Sequence, residues 1–252
     1  MELLTAALLF VAAVAGGALN AVAGGGTFVA FPALLFTGVP PVSANATNTV
    51  ALWTGLAFSG GAFRHHLNVR RPILIALVTA SALGGVAGAI LLLRTPARTF
   101  MRLLPWLMLS ATLLFLFGRL LPNRAIPVNR SATPPTILLA SCFQLLVAIY
   151  GGYFGGGMSI VILAMLAAFG MADMHEMNAL KTVLSSATNG LAVLIFIFSG
   201  AVYWRQGIIM IAGAALGGYF GARYSLRLPH SYVRWLVIAV GTAMTAYFFV
   251  RS

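Results

Sequence analysis

Long apolar stretches alternate with short polar connections along the chain, and none of the long stretches shows the two-residue alternation of a β-strand. Eight stretches have about 20 residues, which is enough for a helix to cross the hydrocarbon core of a bilayer. They cover residues 3–23, 42–62, 72–93, 100–121, 135–153, 178–199, 204–224 and 230–250. Because only helices and closed barrels satisfy their backbone groups in lipid, unbroken stretches of this length predict an all-α, polytopic membrane protein.

Two shorter apolar stretches, 27–37 and 158–170, each follow a run of three glycines. As helices they would reach only about 15–20 Å, whereas the bilayer core is about 30 Å thick. If both cross, each half has five crossings and the halves are inverted. If both are re-entrant, each half has four and the repeats are parallel.

The distribution of arginine between the two sides helps to choose between these topologies. Ten crossings place nine arginines on one side and five on the other, and eight crossings place eight and six. The positive-inside rule therefore favours ten crossings with both termini outside. We predict two inverted repeats, each with four long segments and one short or broken segment.

The second half of the chain repeats the first. Residues 45–96 match residues 178–229 at a constant offset (178 − 45 = 133). The matched pairs include Asn45 with Asn178, Thr49 with Thr182, Gly84-Gly85 with Gly217-Gly218, and Gly88 with Gly221. A duplicated hydrophobic unit interrupted by glycine is typical of transporters, whose substrate site lies at the repeat interface.

The repeat also sets the domain organisation. We predict a first half at residues 1–121 and a second half at 135–252, within one membrane domain. The polar, proline-bearing segment 122–134 is the predicted linker. The Gly-x-x-x-Gly spacing in each half permits close helix contact, and we expect that contact to lie within one subunit rather than at a dimer seam.

Composition agrees with a membrane protein and changes how the charge is interpreted. The chain is 61% hydrophobic and 7% charged, with a mean hydropathy of +0.99, whereas a soluble domain has roughly a quarter charged residues. The net charge of +12 comes from arginines in short connections between apolar stretches. That placement indicates membrane topology and contact with anionic head groups, so we predict no nucleic-acid partner.

Two groups of polar residues interrupt the apolar stretches. The first group is Asn45, Asn48 and Thr49, and the second is Asn178, Lys181, Thr182, Ser185 and Asn189. The second group has the spacing i, i+3, i+4, i+7, i+11, which places its members on one helical face. Polar groups are costly in lipid, so both groups should face the bundle interior or a cavity. Hydrogen bonding between helices is the alternative role.

Lys181 is the only lysine, and it aligns with Asn48 in the repeat. Asp173 and Glu176 lie at the edge of the same segment, and a contact between residues five apart is not natural on a helix. A lysine without a close carboxylate suits an anion. The alternative is a lysine that snorkels to the head groups.

The glycine runs predict the second part of a site. Gly24-Gly25-Gly26 precedes Thr27, and Gly155-Gly156-Gly157 precedes Met158-Ser159. A break at membrane depth is tolerated only where it is buried in protein or lines a cavity. The helix that starts there directs unpaired N–H groups and its positive dipole end at the cavity, which suits an anion. Asn20 and Tyr153 flank these turns.

Other chemistry is disfavoured. The glycine runs lack a preceding strand and a following Lys-Ser/Thr, so they do not form a nucleotide P-loop. His65, His66, His175 and His230 fall in loops or at segment ends, which leaves a serine hydrolase without a base at depth. We predict no catalytic residue, no metal site and no cofactor.

Several short motifs carry a family resemblance over the whole chain. They are Asn20-Ala21-Val22-Ala23-Gly24-Gly25-Gly26-Thr27, Pro32-Ala33-Leu34, Gly38-Val39-Pro40-Pro41, Ala44-Asn45-Ala46-Thr47-Asn48, Gly151-Gly152-Tyr153-Phe154-Gly155-Gly156-Gly157 and Asn178-Ala179-Leu180-Lys181-Thr182. With these motifs and the duplication, the chain resembles the sulfite exporter TauE/SafE family. The resemblance implies transport of sulfite, sulfoacetate, thiosulfate or other organic sulfur anions across the bacterial inner membrane. The second half departs from the family in lacking the proline-rich turn, with residues 170–176 in its place.

We therefore predict a multi-pass inner-membrane transporter of a small, sulfur-containing anion, with the lipid bilayer and that anion as partners and a homodimer as a possible assembly. A membrane scaffold or accessory subunit is the alternative from another class. The predicted substrate-binding residues are Asn20, Gly24, Gly25, Gly26, Thr27, Asn45, Asn48, Thr49, Tyr153, Gly155, Gly156, Gly157, Ser159, Asn178, Lys181, Thr182 and Ser185. In this interpretation Lys181 supplies charge, the amides and hydroxyls donate hydrogen bonds, and the glycine turns supply backbone N–H groups.

Overall fold

The computed structural model describes residues 2–22, 24–60, 69–117, 134–171, 173–225 and 230–251, and within these ranges it contains ten helices and no strands. The helices are α1 (Leu3–Val22), α2 (Thr27–Phe36), α3 (Pro41–Gly60), α4 (Arg71–Arg94), α5 (Ala97–Phe117), α6 (Pro134–Tyr153), α7 (Met158–Ala168), α8 (Met174–Phe198), α9 (Trp204–Ser225) and α10 (His230–Arg251). Each predicted apolar stretch is a helix, which confirms the all-α prediction.

The lengths of the helices suit a membrane. α2 and α7 have 10 and 11 residues, and every other helix has at least 20, or about 30 Å of axial rise. Among the described residues, α1, α4, α6 and α8 are long and apolar enough to be candidate spans. Large apolar side chains such as Leu138 and Phe198 lie on the outer surface, as expected where the solvent is lipid. The number of crossings stays a prediction.

The largest difference from a predicted helix start lies at the start of α8. The stretch predicted to begin at residue 178 forms a helix from Met174, because Asp173 caps the helix with a side-chain oxygen 2.8 Å from the His175 N–H. The first turn contains polar residues, so the hydropathy pattern did not indicate that the helix begins there. The predicted linker 122–134 lies outside the described residues except for Pro134, as do His65 and His66.

Each half contributes its fourth helix to the other half. α4 packs on α6 and α8 of the second half, and α9 packs on α1 and α3 of the first half. The helix pairs α1–α2, α1–α3 and α2–α3 recur as α6–α7, α6–α8 and α7–α8, while α3 meets α8 and α5 meets α10 across the halves. The main helix pairs are therefore preserved when the two halves are exchanged.

The glycines of the repeat make these exchanged contacts possible. A Cβ atom on Gly85 would collide with the backbone carbonyl of Thr188, and a Cβ on Gly218 would lie 2.6 Å from the carbonyl oxygen of Gly55. These two contacts match at the repeat offset (188 − 55 = 133). The prediction that the glycine faces pack within one subunit is confirmed, because their neighbours belong to the same chain.

A buried aromatic cluster supports the two glycine turns. The Phe31 ring on α2 packs edge-to-face on Phe100 of α5 and on Phe154, with ring centroids 6.2 and 6.1 Å apart. Phe154 belongs to the turn between α6 and α7, and all three side chains are at most 1% exposed. The cluster thus joins the second glycine turn to the short helix that follows the first.

Candidate functional site

A small cavity lies where both short helices begin, and it takes six lining residues from each half. Its lining consists of Asn20, Thr27, Asn48, Thr49, Leu52 and Leu56 from the first half, and of Phe154, Gly155, Met158, Ser159, Ser185 and Asn189 from the second. The cavity volume is about 20 Å³, which is room for about one or two water molecules. A small pocket with polar lining residues therefore lies at the interface of the repeats.

Two long helices each present one face to this cavity. On α3, Asn48 and Leu52 are four residues apart, as are Ser185 and Asn189 on α8, and such pairs lie on one helical face. The indole N–H of Trp53 on α3 donates to the carbonyl of Ser186 on α8 at 3.3 Å. These two residues are also repeat counterparts (186 − 53 = 133), so the helices meet at the centre of the pseudo-symmetry.

The glycine turns bring the starts of the two short helices to the same cavity. Gly24 has a φ of +78° and lies so close to Ser159 that a Cβ atom there would collide with that side chain. Only glycine fits this conformation and this spacing without strain. Gly157, also in the left-handed region, precedes α7 without a side-chain cap. Each turn therefore has a structural reason for its glycines.

Both short helices offer backbone donors at the cavity. Among the described residues, neither the N–H of Thr27 in α2 nor the N–H of Ser159 in α7 has a backbone acceptor. The first turn of a helix leaves such groups unsatisfied and carries the positive end of the helix dipole. Since Thr27 and Ser159 both line the cavity, two helix N-termini face it.

Two buried side chains in the lining have unused hydrogen-bonding capacity. Asn48 is 1% exposed, and its Nδ2 donates to Thr27 Oγ1 at 3.4 Å while its Oδ1 has no partner among the described residues. Ser185 is also 1% exposed, and its Oγ likewise has no partner there. Buried polar atoms are rarely left unsatisfied in proteins. A molecule in the cavity would supply the missing partners.

Other predicted site residues hold the helices around the cavity. Asn45 is fully buried and its Nδ2 donates to the carbonyl oxygen of Tyr153 at 2.9 Å, which ties α3 to the end of α6. The hydroxyls of Thr49 and Thr182 donate to the backbone carbonyls of Asn45 and Asn178, at 2.9 and 2.8 Å. The first of these bonds is the helix–helix interaction that the sequence left as the alternative role for a buried asparagine.

Lys181 is buried within α8, with 4% of its side chain exposed. It lies one helical turn before Ser185 but is not part of the cavity lining. Among the described residues, no hydrogen-bond acceptor or carboxylate pairs with its ammonium. The alternative of a lysine that snorkels to the head groups does not fit this burial.

The cavity thus includes only part of the predicted site. The residues that line it are Asn20, Thr27, Asn48, Thr49, Gly155, Ser159 and Ser185. The predicted residues outside the lining are Gly24, Gly25, Gly26, Asn45, Tyr153, Gly156, Gly157, Asn178, Lys181 and Thr182, and substrate contact by these stays a prediction. Asn189 lines the cavity but was not in the predicted set, although its i+4 spacing from Ser185 places it on the same face.

The lining offers hydrogen-bond donors and carries no carboxylate among the described residues. The chain contains only three acidic residues. Amides, hydroxyls and helix N-termini complement a small anion or a neutral polar molecule, whereas cations in proteins are bound by oxygen ligands that include carboxylates. The electrostatic character of the cavity therefore favours an anion.

Comparison with known proteins agrees with this arrangement. The chain is 31% identical over 243 residues to the probable membrane transporter protein ORF9 of a Sinorhizobium species, covering 94% of this chain and 90% of that protein. It is 28% identical to a probable membrane transporter protein of Haemophilus influenzae, covering 95% and 92%. It is also 28% identical to the probable membrane transporter protein YfcA of Escherichia coli, covering 95% and 87%.

The model of the family described as "Sulfite exporter TauE/SafE" matches residues 8–248, which includes both halves and the entire cavity lining. The match extends over both glycine turns and both polar faces, the features around which the cavity is built. This chain belongs to the sulfite exporter TauE/SafE family and is a multi-pass membrane transporter.

Proposed function

We propose that this transporter moves a small sulfur-containing anion, such as sulfite, thiosulfate or an organosulfonate, across the bacterial inner membrane. The observation that carries the proposal is the small polar cavity at the interface of the repeats, where Asn48 Oδ1 and Ser185 Oγ have no hydrogen-bond partner within the described part of the chain. The family description supports the sulfur chemistry of the cargo.

The cavity residues have distinct roles in this proposal. Ser185 donates its hydroxyl hydrogen to an oxygen of the anion, and the N–H groups of Thr27 and Ser159 add backbone hydrogen bonds and the positive ends of two helix dipoles. If the Asn48 amide is flipped by 180°, its Oδ1 accepts from the Thr27 hydroxyl and its Nδ2 is free to donate to the cargo. Lys181, outside the lining and one helical turn before Ser185, supplies the positive charge.

The architecture in this proposal is a pair of inverted repeats with ten crossings and a pseudo-two-fold axis in the membrane plane. The exchange of α4 and α9 between halves and the matched glycine contacts support a two-fold relation. Five helices in each half make the halves antiparallel if the short helices also cross. The glycine turns and the cavity then lie near the bilayer midplane.

The alternative of a scaffold subunit is less well supported. Such a subunit would use its glycine faces to assemble with a partner, but in this chain the faces around Gly85 and Gly218 are filled by Thr188 and Gly55. A scaffold also gives no reason for a polar cavity between the repeats.

The test is flux of ³⁵S-labelled sulfite and thiosulfate into liposomes that contain the purified protein. We expect uptake above that of protein-free liposomes, and we expect Asn48→Asp to abolish it, because the new carboxylate repels the anion at short range. Thermal unfolding in detergent shows whether the variant still folds. Wild-type liposomes that carry neither anion, or a folded Asn48→Asp protein that carries them at the wild-type rate, would contradict the proposal.

A further inference from the structure

Lys181 is a buried amino group for which the described residues provide no counter-ion. It is the chain's only lysine, and its helix α8 packs on α3, α4, α6 and α7. A buried charge without a counter-ion is costly inside a protein and more so inside a membrane. The question is therefore whether any residue near Lys181 can act as its counter-ion.

Few ionisable side chains occur on the helices that pack against α8. Within the described ranges, α3 and α7 carry none, α4 carries Arg71 and Arg94 at its ends, α6 carries Cys142, Tyr150 and Tyr153, and α8 itself carries His175 and Glu176. The Tyr150 hydroxyl donates to the carbonyl of Gly156. Glu176 is five residues before Lys181, a spacing that puts the two on different helical faces. Over their described residues, the helices that pack against α8 therefore contribute no carboxylate, and α8 itself has none on the face that carries Lys181.

Two states of the site avoid an uncompensated charge. One is an empty site with a neutral Lys181 amine, and the other is a loaded site in which the Lys181 ammonium is paired with the anion. We propose that Lys181 takes up one proton with each anion carried, so that transport is coupled to protons. The step balances: the amine binds a proton from water and the anion binds to the resulting ammonium, and both leave on the other side. This inference rests on the proposed function.

The repeat pairing of the cavity residues relates the cavity to Lys181. Three pairs of repeat counterparts both line the cavity: Thr27 and Met158, Leu52 and Ser185, Leu56 and Asn189. Asn48 and Thr49 line it too, but their counterparts Lys181 and Thr182 do not. The cavity thus spans the pseudo-symmetry axis, and between α3 and α8 it extends along α3 to Asn48 but not along α8 to Lys181. If the two halves exchange conformations, the cavity extends towards Lys181 instead.

The experiment measures anion accumulation under a proton gradient in liposomes with the membrane potential clamped at zero by valinomycin and equal potassium. The probes are ³⁵S-thiosulfate and ³⁵S-sulfite. With one proton per anion, a gradient of one pH unit, acidic outside, should raise accumulation up to about tenfold. Exchange of labelled for unlabelled anion, measured without a gradient, reports binding and translocation alone.

Three variants separate charge from proton exchange. Lys181→Arg keeps its proton at all accessible pH values, so we expect exchange to persist and gradient-driven accumulation to disappear. Lys181→Met should lower exchange by about tenfold or more, because a charge-assisted contact is lost. Arg98→Met removes one exposed charge outside the site and should change neither readout. Size-exclusion profiles and thermal unfolding establish that each variant folds.

Each result bears on a different claim. If wild-type protein exchanges the anions but a proton gradient does not drive them, this inference is wrong and the proposed function stands. If no exchange occurs in wild-type protein, both are wrong. Gradient-driven accumulation by Lys181→Arg at the wild-type level would also overturn the inference. If Lys181→Met fails to fold, the Lys181→Arg result decides alone.

Discussion

At the residue scale, hydroxyls in this bundle fall into two groups. Thr112, Thr188 and Thr245 are buried, and each donates its hydroxyl hydrogen to the carbonyl four residues earlier. Thr49 does the same from the cavity wall. Ser185 differs, because its Oγ has no partner among the described residues. A hydroxyl whose hydrogen is already used on its own helix has only lone pairs left, whereas Ser185 can still donate to an anion.

This difference predicts opposite effects of Ser185→Ala on activity and stability. Loss of the hydroxyl should lower anion flux by about tenfold or more, the value of one hydrogen bond to a charged group. Removal of an unsatisfied buried oxygen should leave the thermal unfolding temperature unchanged or slightly higher. Both are measured on one preparation, in liposomes and in detergent.

Thr49→Val is the matched control for this prediction. It removes a hydroxyl from the same cavity wall, but one whose hydrogen already goes to the Asn45 carbonyl. We expect a smaller loss of flux than for Ser185→Ala. Equal losses in the two variants would mean that cavity shape, and not a free donor, determines binding.

At the element scale, glycine determines which helices can touch. On α9, a Cβ atom at Gly218 would lie 2.6 Å from the Gly55 carbonyl oxygen, whereas one at Gly207 would meet nothing closer than the Thr47 methyl at 3.4 Å. Backbone atoms on α3 cannot move aside as a flexible side chain can. The two glycines on one helix therefore differ in what an added methyl group would do.

We predict that Gly218→Ala destabilises the protein and Gly207→Ala does not. The first substitution forces α9 away from α3 and should cost about 1–3 kcal/mol, the range for overpacked sites. The second should be neutral or stabilise by roughly 0.5–1 kcal/mol, because alanine loses less backbone entropy than glycine in a helix. Thermal unfolding in one detergent ranks the two variants, and an equal shift for both would contradict the contact assignment.

The elements and the faces of the site follow from the sequence, but their neighbours do not. Helical spacing placed Ser185 on a polar face, and the glycine runs placed Thr27 and Ser159 at helix starts; all three line the cavity. Spacing cannot tell which side chain covers a face. Asn45 donates to the Tyr153 carbonyl, and Lys181 lies outside the cavity lining. Neither could be predicted, because local sequence patterns do not show that α4 and α9 are exchanged between the halves.

At the scale of the whole molecule, the two halves match in backbone contacts but not in chemistry. Gln144 donates to Ser81 at 2.8 Å where α6 meets α4, and both residues are fully buried. Their repeat counterparts are Ala13 and Ala214, where α1 meets α9 (144 − 131 = 13, 81 + 133 = 214). The two halves thus share their glycine contacts. The α4–α6 interface has a polar pair where the α1–α9 interface has two alanines.

Labelling at two equivalent positions can determine the relative orientation of the two halves. Arg70 precedes α4 and Tyr203 precedes α9; both are exposed, and they are repeat counterparts (203 − 70 = 133). If the repeats are inverted, these positions lie on opposite sides of the membrane, whereas parallel repeats put them on the same side. In a Cys142→Ser background, which removes the only native cysteine, we predict that Arg70→Cys and Tyr203→Cys react with a membrane-impermeant maleimide from opposite sides.

Labelling is compared in intact cells with a permeabilised outer membrane and in inverted inner-membrane vesicles. The cysteine-free parent should stay unlabelled in both, and detergent should expose both introduced thiols. By the arginine distribution, Arg70→Cys should react from the cytoplasmic side, because the α3–α4 connection belongs to the arginine-rich side. Reaction of both thiols from one side would make the repeats parallel and α2 and α7 re-entrant. The exchange of conformations that carries the cavity from Asn48 to Lys181 would then not move cargo across the membrane, since both openings would face the same compartment.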